Sequence, residues 1–521
     1  MLQRPTQLLL VRKQPMQIPV EPLAISTQAD RLVKRSQERF SWVTRLWLVV
    51  SLTFPLFFLI GWFVCKDYLG NDYRFLEASL QAIAATMALV ICLRRPIEGM
   101  VPLVELIIIF LLGYYAKFYW LVLTLAANDQ VALLRFFLPE VQPFLYTENL
   151  LRAFELSTWG YLAFCAGAII AVGGGMFPRA RVAIHVSSAK VKKLCMIYVS
   201  SAWVMFIATT ALTYGLGIGI RGGENIELPF KLAGIITFWR SLLVPGLFLL
   251  VLTWSDRKGL KLFWWAALIG LIAFGISTIL IEASRGALVG AVAIPLGALW
   301  LTYRGFTKRR VFLLVVAFIV VALLRPVFTI YRQLRSSDPS ASIAQVAALT
   351  FQSAQSISGE SSERSLGYLE PFQEVLFRVI GIDSVLFFAP QPDGGMPVDR
   401  IAAFLLRRED FADAFTREFI GWQGGVSFGA PSLVGGLYWL SGTAGMVFSI
   451  FMLTLFLQWT WMYLYRSRWW TAPFAFVSLV QITFSVGSEG AFGAALQSFL
   501  VMAVMFVALE FVSRWKLPRR G

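Results

Sequence analysis

Histidine and cysteine are scarce in this chain, whose 521 residues include one histidine, His185, and four cysteines. The cysteines stand far apart within apolar stretches and form no CxxC pair, at Cys65, Cys92, Cys165 and Cys195. Zinc sites and disulfide frameworks need such side chains at close, regular spacing. The sequence therefore predicts no metal, no cofactor and no thiol chemistry.

Charge is scarce as well, since charged residues make up 15% of the chain, against about a quarter in soluble proteins. Hydrophobic residues make up 58%, and the mean hydropathy is +0.69. They gather in runs of about 20 residues, which is the length of helix that crosses a bilayer. Helices satisfy their own backbone hydrogen bonds inside a membrane. The sequence predicts an all-α polytopic membrane protein.

We place twelve transmembrane helices on these runs, at 46–65, 75–93, 100–125, 157–177, 195–218, 232–254, 262–281, 286–303, 311–329, 443–465, 472–488 and 492–511. The remaining chain divides into a basic tail, one large loop, a glycine-rich segment and a second tail, at 1–45, 330–425, 426–442 and 512–521. We expect the glycine-rich segment to be re-entrant, so that residues 426–511 hold it together with the last three helices.

The loops alternate in charge along the chain. One set carries 20 Lys/Arg and 2 Asp/Glu, at 94–99, 178–194, 255–261, 303–310, 466–470 and 512–521. The opposite short loops carry 7 Lys/Arg and 10 Asp/Glu, at 66–74, 126–156, 219–231, 282–285 and 487–491. Basic loops stay on the cytoplasmic side. Both termini are thus predicted to be cytoplasmic, and the net charge of +16 indicates contact with anionic membrane lipids rather than nucleic acid.

The large loop at 330–425 is then extracytoplasmic. It holds eight arginines, no lysine and twelve acidic residues. Arginine grips phosphate or carboxylate with a planar fork, although these arginines could instead pair with the acidic residues. Apolar residues at helical spacing in 366–388 and 401–420 predict amphipathic helices on the outer membrane face, separated by the turn-rich QPDGGMP at 391–397.

Glycine and proline interrupt the stretch that follows, GVSFGAPSLVGGLYWLSGTAGMVF at 425–448. This composition predicts a re-entrant or broken helix beside a cavity, with N-terminal amides that favour an anionic group.

A second unusual stretch is IEASRGALVG at 281–290, because Glu282 and Arg285 are the only charges between Leu262 and Tyr303. We interpret it as an extracytoplasmic turn between two transmembrane helices. Charges in such surroundings are candidates for a functional site, although an ion pair between Glu282 and Arg285 that fixes the hairpin explains them equally. Two further membrane charges, Glu105 and Lys117, lie too far apart to pair, and Lys117 is expected to extend outward toward water.

Two of these motifs carry a family resemblance. SRGALVG at 284–290 resembles a turn of bacterial O-antigen polymerases and ligases, and FGAPSLVGGLYWLSGTAGM at 428–446 resembles a segment of oligosaccharide repeat-unit polymerases. The large outside loop a few spans before the C-terminus is similar as well. The resemblance implies a C-type (GT-C-like) glycosyltransferase of the bacterial inner membrane. Its substrate would be an oligosaccharide linked to undecaprenyl diphosphate, and a chain-length regulator protein is an expected partner.

Such an enzyme must stabilise a diphosphate leaving group and accept a proton from a sugar hydroxyl. We assign diphosphate contacts to Arg285, assisted by Arg332, Arg335, Arg378 or Arg417. The candidate catalytic groups are Arg285 and the possible bases, which are Glu282, Glu418 and Glu489. The candidate aromatic side chains for sugar stacking are Tyr331, Tyr368 and Trp422.

Two other functions remain open. O-antigen ligases are expected to use a histidine in the large outside loop, and this loop has none, which favours a polymerase. Twelve spans with both ends inside also suit a polysaccharide or lipid transporter or flippase. Such carriers usually show two similar halves, and the two halves of this sequence differ.

Overall fold

A computed structural model describes the helical membrane part of the chain. The described residues are 53–92, 101–129, 133, 139–173, 188–216, 218, 232–282, 330–331, 334, 343–360, 381–406, 411–421, 431–467, 477, 479, 482–483, 487, 496, 498–504 and 507. The chain divides after Leu56 into two units, the second of which is Phe57–Gly521. The contacts described below lie in the second unit.

The described part of the chain is helical, without strands. The first seven helices are α1 (Thr53–Cys65), α2 (Tyr73–Cys92), α3 (Val101–Ala126), α4 (Thr147–Gly173), α5 (Ser188–Gly215), α6 (Leu232–Lys258) and α7 (Lys261–Glu282). Helices after these are α8 (Ile343–Glu360), α9 (Ile382–Phe388), α10 (Val398–Leu405), α11 (Phe411–Ile420) and α12 (Leu433–Ser467). Three of them contain a wider π-helical turn, at Phe110–Ala116 in α3, Trp239–Leu243 in α6 and Thr416–Ile420 in α11.

Seven of the described helices are long and apolar enough to cross a membrane, namely α2 to α7 and α12. The chain is therefore a multi-pass membrane protein with an all-α fold. The predicted helices at 286–303 and 311–329 lie outside the described residues. The helix at 472–488 is described at five scattered positions and the one at 492–511 mainly at 498–504, and all of these residues are helical. The total of twelve and the orientation remain predictions.

Helix α7 has an exposed apolar face that is suited to contact with lipid. Its exposed apolar residues recur at alternating steps of three and four, at Leu262, Trp265, Ile269, Ile272 and Ile276. This spacing places them along one side of the helix. The opposite side packs against α6, where a Cβ on Gly270 would lie 2.4 Å from the ring of Phe248. One face is thus free to contact acyl chains while the other is buried in protein.

Helix α4 packs against both α2 and α12, and α6 packs against both α5 and α7. Small residues let α4 and α12 approach closely, as is common between membrane helices. A Cβ on Gly167 would lie 2.9 Å from the carbonyl oxygen of Phe451, and one on Gly160 would lie 2.9 Å from Val434. The contact at Phe451 involves backbone, which cannot move aside as a side chain can.

Substitution of Gly167 by valine is expected to force α4 and α12 apart. Overpacking of this kind costs about 1–3 kcal/mol, so the thermal midpoint of the detergent-solubilised protein should fall by several degrees. Gly173 in the same helix has open space around its Cβ position, and Gly173→Val is the matched control. Equal midpoints for the two variants would contradict the close approach at Gly167.

Candidate functional site

The loop predicted to lie outside the membrane does not form a separate domain in its described part. Helix α9 packs against α4, α12 and the π-helical turn of α3. Its apolar side chains are almost wholly buried, at Ile382, Val385, Leu386, Phe387 and Phe388. The predicted surface position of this helix is therefore wrong for 382–388, because every apolar side chain faces protein. Helix α10 fits the prediction better, since Phe404 is buried while Val398 and Leu405 are exposed.

An ion pair holds α9 to the membrane helices. The ammonium of Lys117, which is 1% exposed, lies 2.9 Å from the carboxylate of Asp383, which is 16% exposed. The other carboxylate oxygen of Asp383 accepts a hydrogen bond from the backbone N–H of Gly381 at 3.1 Å. The expectation that Lys117 extends outward is therefore wrong. Its partner comes from a distant part of the sequence, which a count of charges within one helix could not identify.

Further polar contacts surround this ion pair. The hydroxyl of Tyr114 accepts from the backbone N–H of Val434 at 3.0 Å, and the hydroxyls of Ser384 and Ser432 lie 2.5 Å apart. The backbones of α3 and α9 also touch, because a Cβ on Gly381 would lie 2.1 Å from the carbonyl oxygen of Gly113. The first turns of α9 and α12 are thus held against the middle of α3.

Helix α12 is broken at Gly442, whose φ of 67° and ψ of −174° are not helical. The broken helix predicted from the glycine-rich sequence is confirmed at this residue, whereas residues 425–430 lie outside the described part. The loop at 391–396 satisfies the backbone groups that the break leaves free. Met396 donates its N–H to Leu440 O at 2.9 Å, and Asp393 Oδ1 accepts from Thr443 N–H at 2.6 Å.

The predicted anionic group at an N-terminus of this segment is therefore found within the chain itself. The carboxylate of Asp393 occupies the start of the second half of α12, where helix amides favour negative charge. A side chain on residue 442 would collide with it, because a Cβ on Gly442 would lie 2.5 Å from Asp393 Oδ1. Glycine at 442 thus permits both the positive φ and the contact with the loop.

Glu418, a predicted base, pairs with Arg400 through both carboxylate oxygens. The guanidinium of Arg400 also lies 5.5 Å from the ring centre of Trp439. Trp439 itself stacks between two phenylalanines, with Phe411 at 5.1 Å and Phe388 at 5.3 Å. Each carboxylate oxygen keeps a second lone pair, so Glu418 can stay paired with Arg400 and still accept a hydrogen bond from a ligand.

Arg417, a predicted diphosphate contact, is exposed, and its Nε donates to the carbonyl oxygen of Asp413 at 3.4 Å. It lies next to Glu418 in the π-helical turn of α11, which ends at Gly421 with a φ of 73°. An exposed guanidinium on this turn is accessible to a ligand from outside the membrane helices.

The end of α7 brings together two of the predicted site segments. Helix α7 ends at Glu282, the predicted start of the turn. The hydroxyl of Tyr331 donates to Leu280 O at 2.6 Å, and Leu334 packs against Tyr331. The predicted diphosphate contacts Arg332 and Arg335 follow these two residues in the chain. Tyr331 and Leu334 thus lie beside the last turn of α7.

The predicted role of Tyr331 in sugar stacking does not fit this environment. Its ring is 5% exposed and packs against Ile279, Leu280 and Val346. A ring that is enclosed on its faces cannot offer one to a sugar, so the structure gives Tyr331 a packing role. The other predicted site residues lie outside the described part of the chain, namely Arg285, Arg332, Arg335, Arg378, Glu489, Tyr368 and Trp422.

Sequence reasoning missed one buried cation. Arg240 lies in the π-helical turn of α6, is 4% exposed, and donates to the hydroxyl of Thr278 on α7 at 3.3 Å. The signal was present, because Arg240 interrupts the apolar run at 232–254 in the same way that Lys117 interrupts the run at 100–125.

Another polar group links the starts of α2 and α4. Arg74 contacts Asp72 at 2.9 Å and Glu148 at 2.8 Å. The side-chain hydrogen bond from Arg74 lowers the pKa of Asp72 below its usual value. Among the described residues, no group of three histidine, cysteine, aspartate or glutamate side chains lies together as the ligands of a metal ion would.

Comparison of the chain with protein-family models, curated proteins and solved structures finds no match. The residues themselves are therefore the basis for any assignment of function.

The ion pair between Lys117 and Asp383 is open to a double-mutant cycle. Removal of one partner leaves a buried charge and costs about 3–5 kcal/mol, so Asp383→Asn and Lys117→Met should each lower the thermal midpoint markedly. The double variant should recover part of that loss. Arg152 and Glu155 form a more exposed pair at 3.5 Å, and Arg152→Ala should change the midpoint little. Additive losses in the cycle would show that the two charges do not interact.

Proposed function

We propose that the protein is a polysaccharide polymerase. It would transfer a growing glycan from undecaprenyl diphosphate to the sugar of another lipid-linked repeat unit, at the outer face of the bacterial inner membrane. Undecaprenyl-diphosphate-linked oligosaccharide is both donor and acceptor in this proposal. The resemblance at 284–290 and 428–446 suggests the reaction, and three structural observations support it.

The observation that carries most weight is the position of the large loop. Its described helices pack directly on membrane helices, with α9 inserted among α3, α4 and α12. A lipid diphosphate has a membrane-bound chain and a polar group at the membrane surface. An enzyme for such a lipid needs its polar side chains next to the membrane helices, and the packing of α9 provides this.

A second observation is the meeting of the α7 end with Tyr331. This contact holds Tyr331, which precedes Arg332 in the sequence, against the helix that ends at Glu282. Several guanidinium groups next to one helix end could neutralise a diphosphate as it leaves, without a metal. A carboxylate nearby would accept the proton of the attacking hydroxyl.

A third observation bears on the carrier alternative. Carriers often bind substrate at the ends of broken membrane helices. In α12 two backbone groups at the break already have hydrogen-bond partners within the chain. Leu440 O accepts from the Met396 N–H, and the Thr443 N–H donates to Asp393 Oδ1. The break therefore favours a structural role over a transport site, and the polymerase remains the better supported function.

The test uses the full-length protein in lipid nanodiscs with a polyprenyl-diphosphate-linked oligosaccharide and a chelator. We expect a ladder of longer glycans without nucleotide sugar. Arg285→Ala should abolish the long products while the protein remains in the membrane fraction, and Lys193→Ala, on the exposed start of α5, should leave the ladder unchanged. A wild-type protein that requires nucleotide sugar, or normal product lengths with Arg285→Ala, would contradict the assignment.

A further inference from the structure

A partly exposed ion pair joins α10 to α11. Both oxygens of the Glu418 carboxylate accept hydrogen bonds from the Arg400 guanidinium. The Arg400 side chain is 32% exposed and the Glu418 side chain 38% exposed. A ligand can therefore reach this pair, whereas the ammonium of Lys117 in its pair with Asp383 is 1% exposed.

Aromatic rings support the guanidinium of this pair. The terminal carbon of the Arg400 guanidinium is 5.4 Å from the ring centre of Phe404 and 5.5 Å from that of Trp439 on α12. Trp439 in turn stacks on Phe411 at 5.1 Å. A guanidinium beside aromatic rings gains a cation–π attraction and has little freedom to turn. Side chains from α10, α11 and α12 thus fix the group that holds the Glu418 carboxylate.

The local shape of α11 brings Glu418 to the surface. This residue lies in the π-helical turn Thr416–Ile420, which ends at Gly421 with a φ of 73°. Helical turns of this kind occur often at functional sites. The neighbouring Arg417 is also exposed, and its Nε donates to Asp413 O on its own helix. The turn therefore presents the carboxylate of Glu418 to a ligand from outside the helices.

The charges of the pair decide which class of ligand it suits. A phosphate group would be repelled by the negative charge of Glu418, whereas a neutral hydroxyl group would not. Each carboxylate oxygen keeps a lone pair beyond its bond to Arg400. Two hydroxyls that stand side by side on a sugar ring can donate to these two oxygens, and such bonds to a charged acceptor are stronger than those between neutral groups. The pair therefore suits a neutral ligand with neighbouring hydroxyls.

We propose that Glu418, oriented by Arg400, binds neighbouring hydroxyl groups of the glycan in the lipid-linked substrate. This inference rests on the proposed polymerase function and names the part of the substrate that contacts α10 and α11. Glu418 is then a binding residue for sugar rather than the base predicted from the sequence. Arg400 is a positioning residue, and the diphosphate is bound by other side chains.

Two other roles of the pair lead to different results. If it only ties α10 to α11, loss of either side chain should lower the thermal midpoint without a selective effect on glycan binding. If Glu418 is the catalytic base, Glu418→Gln should bind the lipid-linked glycan as wild type does and fail to transfer it. If Glu418 binds sugar, Glu418→Gln should weaken the binding of the glycan itself.

The experiment compares two probes by native mass spectrometry of the full-length protein. One is undecaprenyl-diphosphate-linked oligosaccharide extracted from cells that make the protein naturally, and the other is undecaprenyl diphosphate without sugar. The wild type should prefer the glycosylated lipid. Glu418→Ala should reduce this preference by about tenfold or more, as expected for the loss of hydrogen bonds to a charged group, and should bind the sugar-free lipid as before. Arg400→Met should show a similar selective loss, and Glu418→Gln a smaller one.

A second pair of the same kind provides the matched control. Arg74 on α2 donates to both carboxylate oxygens of Glu148 on α4, at 2.8 Å and 2.9 Å. Glu148→Ala removes a carboxylate from this pair and should keep the preference of the wild type for the glycosylated lipid.

An unchanged preference in Glu418→Ala and Glu418→Gln would overturn the inference. An equal loss of affinity for the two lipids, or a wild type that does not distinguish them, would overturn it as well. If the alanine variant does not fold, the glutamine variant decides, because its side chain has nearly the same shape. A wild type that shows the preference but makes no polymer would refute the polymerase function alone.

Discussion

A break in a helix frees backbone N–H and C=O groups, which then need hydrogen-bond partners from elsewhere. In α12 the break at Gly442 frees Leu440 O and Thr443 N–H, and residues of the loop supply both partners. The loop is therefore part of the membrane fold. Its position is set by these hydrogen bonds together with the buried apolar side chains of α9.

The ion pair between Lys117 and Asp383 also holds the large loop against the membrane helices, because Lys117 lies on α3 and Asp383 on α9. A buried ammonium requires a partner, and α9 brings one to α3. The loop is thus held at two places, by the charge of Asp383 and by the hydrogen bonds of the Asp393 carboxylate and the Met396 N–H. A loop fixed in this way can keep arginine and acidic side chains at constant positions beside the membrane, which the proposed transfer of a lipid-linked glycan requires.

Much of the fold could be predicted because apolar runs of about 20 residues are a strong local signal. The runs at 75–93 and 262–281 correspond closely to α2 and α7, and the glycines of 425–448 indicated the break at Gly442. The remainder depends on contacts between distant residues. The partner of Lys117 cannot be predicted because Asp383 is remote in sequence. The burial of α9 depends on three other helices, and the burial of the Tyr331 ring depends on side chains of α7 and α8.

The most direct test of this account is hydrogen–deuterium exchange of the full-length protein around residues 438–446. The account predicts slow exchange of the Thr443 amide in the wild type. It also predicts exchange faster by about tenfold or more in Asp393→Ala, since a charged hydrogen bond is lost. Asp399→Ala, which removes an exposed carboxylate in the first turn of α10, should leave the rate unchanged. Equal exchange in the wild type and Asp393→Ala would contradict the claim that the loop completes the broken helix.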